Sequence, residues 1–362
     1  MSYYIIPKIH SCIYLDPKCT TSEPCEPYIS MSLFQYYKEL SEEIDFFFKT
    51  FHSKILSFNS YKEICEIINP YEYIFSKIPG SKFSVSKLKP DTNLFYDFFE
   101  ISNTLNIFDT YRNIPIKSLH FTHNNNDITE CLKLLRENIN DDVSSYEELN
   151  DDIITEIANN KFDFLFFESN QENYNSYVTS LIKSLMVIFR NQESGGLCII
   201  KIGKLFYKPL LDVLYILASL YAKVFILKPN TSNITTFDKY IVCKNFQYNE
   251  NKAKNYKYNY YKLLVFLKKI DDKYIESLFD TKIPYYFISK IEDLNINIGQ
   301  HQIDTLDLIG NILKNKNSEE KIENIKKTNI QKSILWCEKN KIPFNNFYEK
   351  TNIFLPVTKS IS

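Results

Sequence analysis

Glycine is scarce in this chain. Six occur in 362 residues, and none lies between Gly80 and Gly195. Any turn in that interval that brings backbone close to a ligand must be made by residues carrying side chains. There is one tryptophan, and no pair of cysteines has CxxC spacing. Zinc-site spacing is therefore missing, and no metal is expected. Among the eight cysteines, Cys131, Cys198 and Cys243 fall inside apolar patterns and read as reduced, buried thiols; Cys12, Cys19 and Cys25 are irregularly spaced. No long apolar run is present. Met1 to Asp16 has no secretory apolar core, and the most apolar stretch, Leu210 to Leu227, is interrupted by Asp212 and Lys223. No membrane association is expected, and an intracellular, cytoplasmic, reducing location is. Net charge is −1, so any attraction to RNA must come from a local basic surface.

The composition that remains, 44% hydrophobic and 24% charged, is that of a globular protein with a substantial core. Abundant Tyr, Phe, Ile, Asn and Lys suggest an AT-rich coding bias, so asparagine runs such as Asn124 to Asn126 carry little weight. Residues 1–90 read as a mainly helical extension, with helical patterns over Phe34 to Ser57 and Tyr61 to Ile68 and turns at Pro70, Pro79-Gly80 and Pro90. Leu94 to Leu105 opens the next unit as a helix with Phe95, Phe98, Phe99 and Ser102 on one face.

From Lys117 strands and helices alternate: a strand at Ser118 to Thr122, a helix at Asp127 to Asn138 with an Asn/Asp cap, and a doubly buried strand at Phe162 to Phe167. A helix at Tyr174 to Arg190 follows, then strands at Leu197 to Ile202, Lys223 to Leu227 and Tyr240 to Cys243. Between 138 and 160 the pattern shows one helix, around Tyr146 to Ala158, and no convincing strand. The alternation predicts a parallel-rich sheet covered on both faces, a Rossmann-like α/β core over 91–250. Residues 251–362 read as a mainly helical, lysine-rich region, with amphipathic helices at Gln302 to Leu313 and Ile322 to Asn340. Its segment Lys252 to Lys273 interleaves lysines with tyrosines. Lys252, Lys254, Lys257 and Tyr258, with Lys228, are candidate RNA contacts, although compositional bias produces such runs as well. The helix around Trp336 either packs on the core or docks a partner.

The segment from Gly195 to Phe246 is the most informative. GGLCIIKIG is a strand with Lys201 at its end; LYAKVFILKPNTSNITTFDKYIVCKNF adds a strand ending in Lys228-Pro229, a Ser/Thr-rich loop and Asp238 before a last strand. With LFYDFFEI before KSLHFT, and FDFLFFES, this ordered set resembles the FtsJ-like RNA 2′-O-methyltransferases, particularly those of large DNA viruses. The resemblance spans about Leu94 to Phe246. It implies a Rossmann-like S-adenosylmethionine-dependent methyltransferase fold with N- and C-terminal helical extensions.

It further implies that S-adenosylmethionine is the cofactor if the protein is active, and that methyl transfer to a ribose hydroxyl would use a Lys-Asp-Lys-Glu tetrad. The tetrad positions fall on Asp97, Glu168, Lys201 and Asp238. Asp97 replaces a lysine, so three carboxylates are expected around one ammonium, raising the Lys201 pKa and weakening it as a base. Lys201 could equally be a strand-end partner of Glu168 or Asp238. The cofactor loop falls on Thr122, Asn125, Asn126 and Asp127 in LHFTHNNNDITECL, where an asparagine at positive φ would have to replace glycine; His120 and His123 flank it. The expectation is a catalytically degenerate RNA-associated or partner-binding homologue, with a partner in a capping or transcription complex. The alternatives are a divergent active RNA 2′-O-methyltransferase and a purely structural interaction module.

Overall fold

The computed structural model describes residues 3–24, 26–55, 61–123, 126–137, 139–169, 173–248, 250–270, 273–314 and 319–345. The strands are β1 (Tyr3–Ile6), β2 (Lys18–Thr20), β3 (Lys117–Phe121), β4 (Asp142–Tyr146), β5 (Phe162–Glu168), β6 (Gln192–Ile202), β7 (Tyr221–Leu227), β8 (Lys239–Phe246) and β9 (Tyr274–Ser277). The helices are α1 (Met31–Ile55), α2 (Tyr61–Ile68), α3 (Leu94–Leu105), α4 (Asp127–Leu135), α5 (Asp151–Glu156), α6 (Tyr174–Asn191), α7 (Lys208–Leu220), α8 (Glu250–Leu267), α9 (Tyr285–Lys314) and α10 (Glu319–Lys339).

Seven strands form one mixed sheet in the order β1-β7-β8-β6-β5-β3-β4. β4, β3, β5 and β6 are mutually parallel. β8 lies antiparallel between β6 and β7, and β1 is antiparallel to β7. The chain leaves β3 toward β4 and then crosses to β5 on the other side. The strand order therefore reverses at β3/β5, where ligands of open α/β sheets gather beyond the carboxyl ends. This is the expected Rossmann-like α/β arrangement, with a mixed sheet and flanking helices.

The continuous apolar run of β5 follows from burial on both faces. Phe164 and Phe166 enter a core with Phe98, Ile101, Cys131 and Trp336, whereas Leu165 and Phe167 face Leu181, Leu185, Leu214 and Leu263. α3, α4 and α10 thus cover one face and α6, α7 and α8 the other. A third cluster joins Ile44 of α1, Ile64 and Ile68 of α2, Leu306 and Ile309 of α9, and Ile322 of α10.

The structure departs from the sequence-based expectations in four places. The mainly helical N-terminal segment also supplies strands that the sequence did not show: β1 completes the sheet, and β2 pairs with β9, a strand inside the region expected to be mainly helical. Both are short and partly exposed, and so lack a buried-strand signature. Second, a strand does occupy the 138–160 connection. β4, with sequence DVSSY, is an edge strand with no fully buried residue; its pairing with β3, not apolar content, makes it a strand. Third, the helix expected over Tyr146 to Ala158 shortens to α5, with Asn150 accepting the Ile153 N–H as its cap. Fourth, Asn126 precedes α4 without a side-chain cap hydrogen bond. The approach to β4 is fastened by Arg136, which donates to Asp141 at 2.6 and 3.0 Å and to the carbonyls of Tyr111 and Ile114 at 2.9 and 2.7 Å.

The glycine pair has a local reason. β6 runs from Gln192 to Leu197 while its neighbour β5 advances only from Phe162 to Phe164, so β6 bulges. Gly195 sits at φ +77° in open space, and a Cβ on Gly196 would press on the Gln192 side chain and lie 2.8 Å from Glu193 O and 2.9 Å from Asp163 O. Because two of those neighbours are backbone, Gly196→Ala is expected to cost about 1–3 kcal/mol. Urea denaturation of the variant measures this; unchanged stability would mean the bulge relaxes freely.

Candidate functional site

Five segments converge at the carboxyl edge of the sheet. β5 ends in Glu168 and β6 carries Lys201, which are register partners. β7 ends at Leu227 and hands on to Lys228. β8 begins at Lys239, and Lys201 is the register partner of Tyr240. α3 lays Asp97 and Glu100 over the same edge. The parallel β5–β6 pair, the antiparallel β6–β8 pair and α3 therefore bring Glu168, Lys201, Asp238 and Asp97, the four positions expected for the tetrad, to one edge.

The pairing within the cluster is specific. Lys201 Nζ donates to Glu168 Oε1 at 2.8 Å, and the His123 backbone N–H donates to Glu168 Oε2 at 3.1 Å. Asp97, only 2% exposed, accepts from Thr231 Oγ1 at 2.5 Å and from Tyr240 OH at 2.8 Å. Glu100 accepts from the Asn230 and Thr231 backbone N–H groups at 2.9 and 3.3 Å and from Asn230 Nδ2 at 2.6 Å. The two acids of α3 thus clasp the Ser/Thr-rich loop after β7. Asp238 accepts from Thr236 Oγ1 at 3.2 Å.

The expected picture of three carboxylates around one ammonium needs correction. Lys228 and Lys239 enter the same field. Lys228 Nζ donates to the carbonyls of Thr236 and Asp238 at 2.6 and 2.9 Å, and Lys239 Nζ to the Gly203 carbonyl at 3.0 Å. Charge interactions link Lys228 with Asp238, Asp97 and Lys201, and link Lys239 with Lys228 and Asp238. The cluster therefore sets three lysines against the carboxyl groups of Asp97, Glu168 and Asp238. A lysine at the head of a buried strand, directly after Asp238, was the signal in the sequence; no periodicity argument assigns Lys239 a direction.

Burial and neighbours sort these groups. Burial pushes Asp97 from 3.8 up to about 7, opposed by its two hydroxyl donors and the Lys201 charge. Burial also lowers Lys228 to about 8 and Lys239 to about 7, because each ammonium is held by neutral carbonyls rather than by a paired carboxylate. For Lys201, burial pulls down, but Glu168, Asp238 and Asp97 outweigh it and hold the lysine above its usual value. The expected direction for Lys201 therefore follows from its surroundings.

The residues of the expected cofactor loop serve internal contacts. The Thr122 N–H donates to Tyr146 O at 3.1 Å, continuing the β3–β4 pairing. The carboxylate of Asp127, fully buried, accepts from the N–H groups of Asp91 and Thr92 and from Thr92 Oγ1; it fastens the segment leading into α3. Asn126 has φ −105°, so it is not the left-handed residue expected in place of glycine. Asn125 lies outside the described residues. His120 is buried, with Nδ1 3.3 Å from Thr129 Oγ1 and Nε2 buried without a hydrogen-bond partner; burial lowers its pKa to about 3. It is a core histidine, not a residue of the surface or a turn.

The candidate RNA contacts divide. Lys254, Lys257 and Tyr258 line an open 500 Å³ concavity on α8 together with Tyr261, Lys262 and Val265. Lys252 lies half-buried near the start of the same helix. The opposite face of α8, with Tyr256, Tyr260 and Leu263, is buried in the core. α8 starts just past the end of β8, at the sheet edge opposite Lys201, and so its lysines are not brought to Lys228. Lys228 instead borders a 300 Å³ cavity at the carboxyl edge. Trp336 packs edge-on against Tyr96, settling that helix as a core element. Among the described residues, no helix is long and apolar enough to cross a membrane.

No protein-family model matches the chain, and no curated protein matches it. Among solved structures it is similar to a putative ribosomal RNA methyltransferase from Plasmodium falciparum, with 13% sequence identity and a TM-score of 0.34, over 43% of this chain and 97% of that one.

Proposed function

We propose that this chain is a methyltransferase-fold protein that has lost methyl transfer in the FtsJ-like manner and acts as an RNA-associated component beside an active enzyme. The observation that carries this reading is Asp97. Where the tetrad calls for a lysine, a buried carboxyl group is locked by Thr231 and Tyr240, and Lys201 is held by Glu168 with its ammonium form favoured. A protonated lysine paired to an acid is poorly placed to take a proton from a ribose hydroxyl. The internal use of Asp127 and of the Thr122 backbone supports the same conclusion, since S-adenosylmethionine would find these groups already engaged. RNA association is assigned to the lysine-tyrosine face of α8, where bases can stack on Tyr258 and phosphates meet Lys254 and Lys257.

Two titrations test this. Calorimetry with S-adenosylmethionine is expected to show no saturable heat, and labelled methyl groups are expected not to enter capped or uncapped RNA between pH 6 and pH 9. Fluorescence polarisation with single-stranded RNA is expected to show binding that weakens with salt, and weakens further in Lys254→Glu/Lys257→Glu. Saturable cofactor binding together with methyl incorporation would overturn the loss of catalysis. RNA binding absent at low salt would leave a purely structural interaction module.

A divergent active enzyme is the second reading, and one observation favours it. Lys228 and Lys239 bring two further lysines, both with lowered pKa, to the Lys201 cluster, and the family's chemistry employs a second lysine there. On that reading methyl incorporation occurs and is abolished by Lys201→Ala.

A further inference from the structure

The cavity between the β7–β8 loop and α9 lies just past the carboxyl end of β7, on the side of β1. Its volume is 300 Å³, within the range of small-ligand sites. Three basic side chains border it: Lys228 from the end of β7, His301 from α9 and Lys332 from α10. No carboxylate is among its lining residues. Glu100, behind the Asn230 wall, accepts from three donors of Asn230 and Thr231. Tyr4 of β1 and Tyr71 supply ring surfaces, with Pro70, Pro229 and Ile298 beside them.

The site is held by its surroundings. Lys228 is fixed by two carbonyls and keeps a third N–H, and among the described residues it has no ion pair within 4 Å. Gln302, next to His301, donates to the same Thr236 carbonyl, and so α9 is tied to the loop that carries Lys228. Ser232, 3% exposed, presents a hydroxyl-bearing side chain to the cavity wall. A cationic pocket with aromatic and proline walls is complementary to a ligand that is anionic at one end and flat and apolar at the other.

We infer that this cavity binds a nucleoside phosphate monoester, its phosphate toward Lys228, His301 and Lys332 and its base against Tyr4 and Tyr71. The chemistry is shared by a free mononucleotide and by the 5′-phosphorylated end of an RNA strand. The inference does not rest on α8 binding RNA, because α8 starts at the opposite edge of the sheet.

Calorimetry on the full chain decides it, with AMP, adenosine, and a trinucleotide bearing either a 5′-phosphate or a 5′-hydroxyl. AMP is expected to saturate with Kd below about 1 mM, and adenosine to bind at least about tenfold more weakly. The exposed-site variant Lys332→Met/His301→Ala is expected to lose at least about tenfold in AMP affinity, and its urea transition reports that it remains folded. Lys228→Met is expected to act in the same direction. Lys254→Met/Lys257→Met is expected to leave AMP binding unchanged while weakening RNA polarisation, which separates this site from α8. A trinucleotide that binds as tightly as AMP only with its 5′-phosphate assigns the ligand to an RNA end; preference for AMP assigns it to a free nucleotide. The inference is overturned if folded wild-type protein binds neither phosphate ligand. It is equally overturned if adenosine matches AMP, or if Lys332→Met/His301→Ala binds AMP as the wild type does.

Discussion

Asp97→Asn is expected to make the protein more stable at pH 8 by up to about 4 kcal/mol, with little change near pH 4. The folded carboxyl titrates near pH 7 and the unfolded one near 3.8. Between these values the folded state retains a proton that the unfolded state releases. Wild-type stability therefore falls as pH rises through this window and stays lower above it. Asparagine carries no such proton. Its amide keeps one acceptor for Thr231 or Tyr240, and the other hydroxyl can turn to accept from the NH₂ group. Lys228 and Lys239 contribute in the opposite sense above pH 7, since their folded pKa values lie below the usual lysine value; both remain in the variant. Urea denaturation of the two proteins at pH 4.5 and pH 8 gives the difference. A stability gap that is the same at both pH values would mean that Asp97 is ionised in the folded protein and that its burial is offset by neighbours.

His120→Leu has the second large effect, at the acid end. The imidazole is buried beside Phe164 and titrates near 3 rather than 6.5. As pH falls below 6.5 the unfolded chain takes a proton that the folded chain refuses, so stability is lost progressively down to about pH 3, by up to about 5 kcal/mol. Leucine removes this loss together with the unpartnered Nε2, at the cost of the contact to Thr129. The variant is expected to lie within about 1 kcal/mol of wild type at pH 7 and to be more stable by about 2–3 kcal/mol at pH 4.5. Thermal unfolding followed by circular dichroism over that range measures it; a parallel acid limb in the two proteins would refute a buried neutral His120. Between pH 4 and 6.5 the two groups work against each other, His120 losing stability on acidification and Asp97 gaining it. Wild-type protein is thus expected to show a shallow profile in that window, which each single variant steepens in the opposite direction.

Both groups illustrate what could be read in advance. Asp97 stood out because an aromatic-rich helix placed an acid where the resembling family has a lysine, and the ordered motifs from Leu94 to Phe246 brought Glu168, Lys201 and Asp238 to one edge. Runs such as FDFLFF and LCIIKI announce strands buried on both faces whatever surrounds them. Short strands announce little: β1 and β9 exist through pairing with chain far away in sequence, Tyr3 with Leu227 and Thr20 with Tyr274, and β4 through its pairing with β3. His120 and Asp127, read as a loop flank and a cofactor contact, are structural groups because β3 and α4 carry them inward.

The sequence by itself determined the α/β alternation, the doubly buried central strands and the position of Lys201 at a strand end, since these follow from local periodicity; the bulge at Gly195-Gly196 and the choice of Glu168 over Asp238 as the direct partner of Lys201 came from the pairing of β5 with β6. The tertiary structure alone decided the balance of charge. Lys228 and Lys239 reach the cluster because β8 inserts antiparallel between β6 and β7, bringing the start of one strand to the end of two others. Only that crossing brings three lysines to the carboxyl groups of Asp97, Glu168 and Asp238, and burial there raises the pKa of Asp97 and lowers those of Lys228 and Lys239.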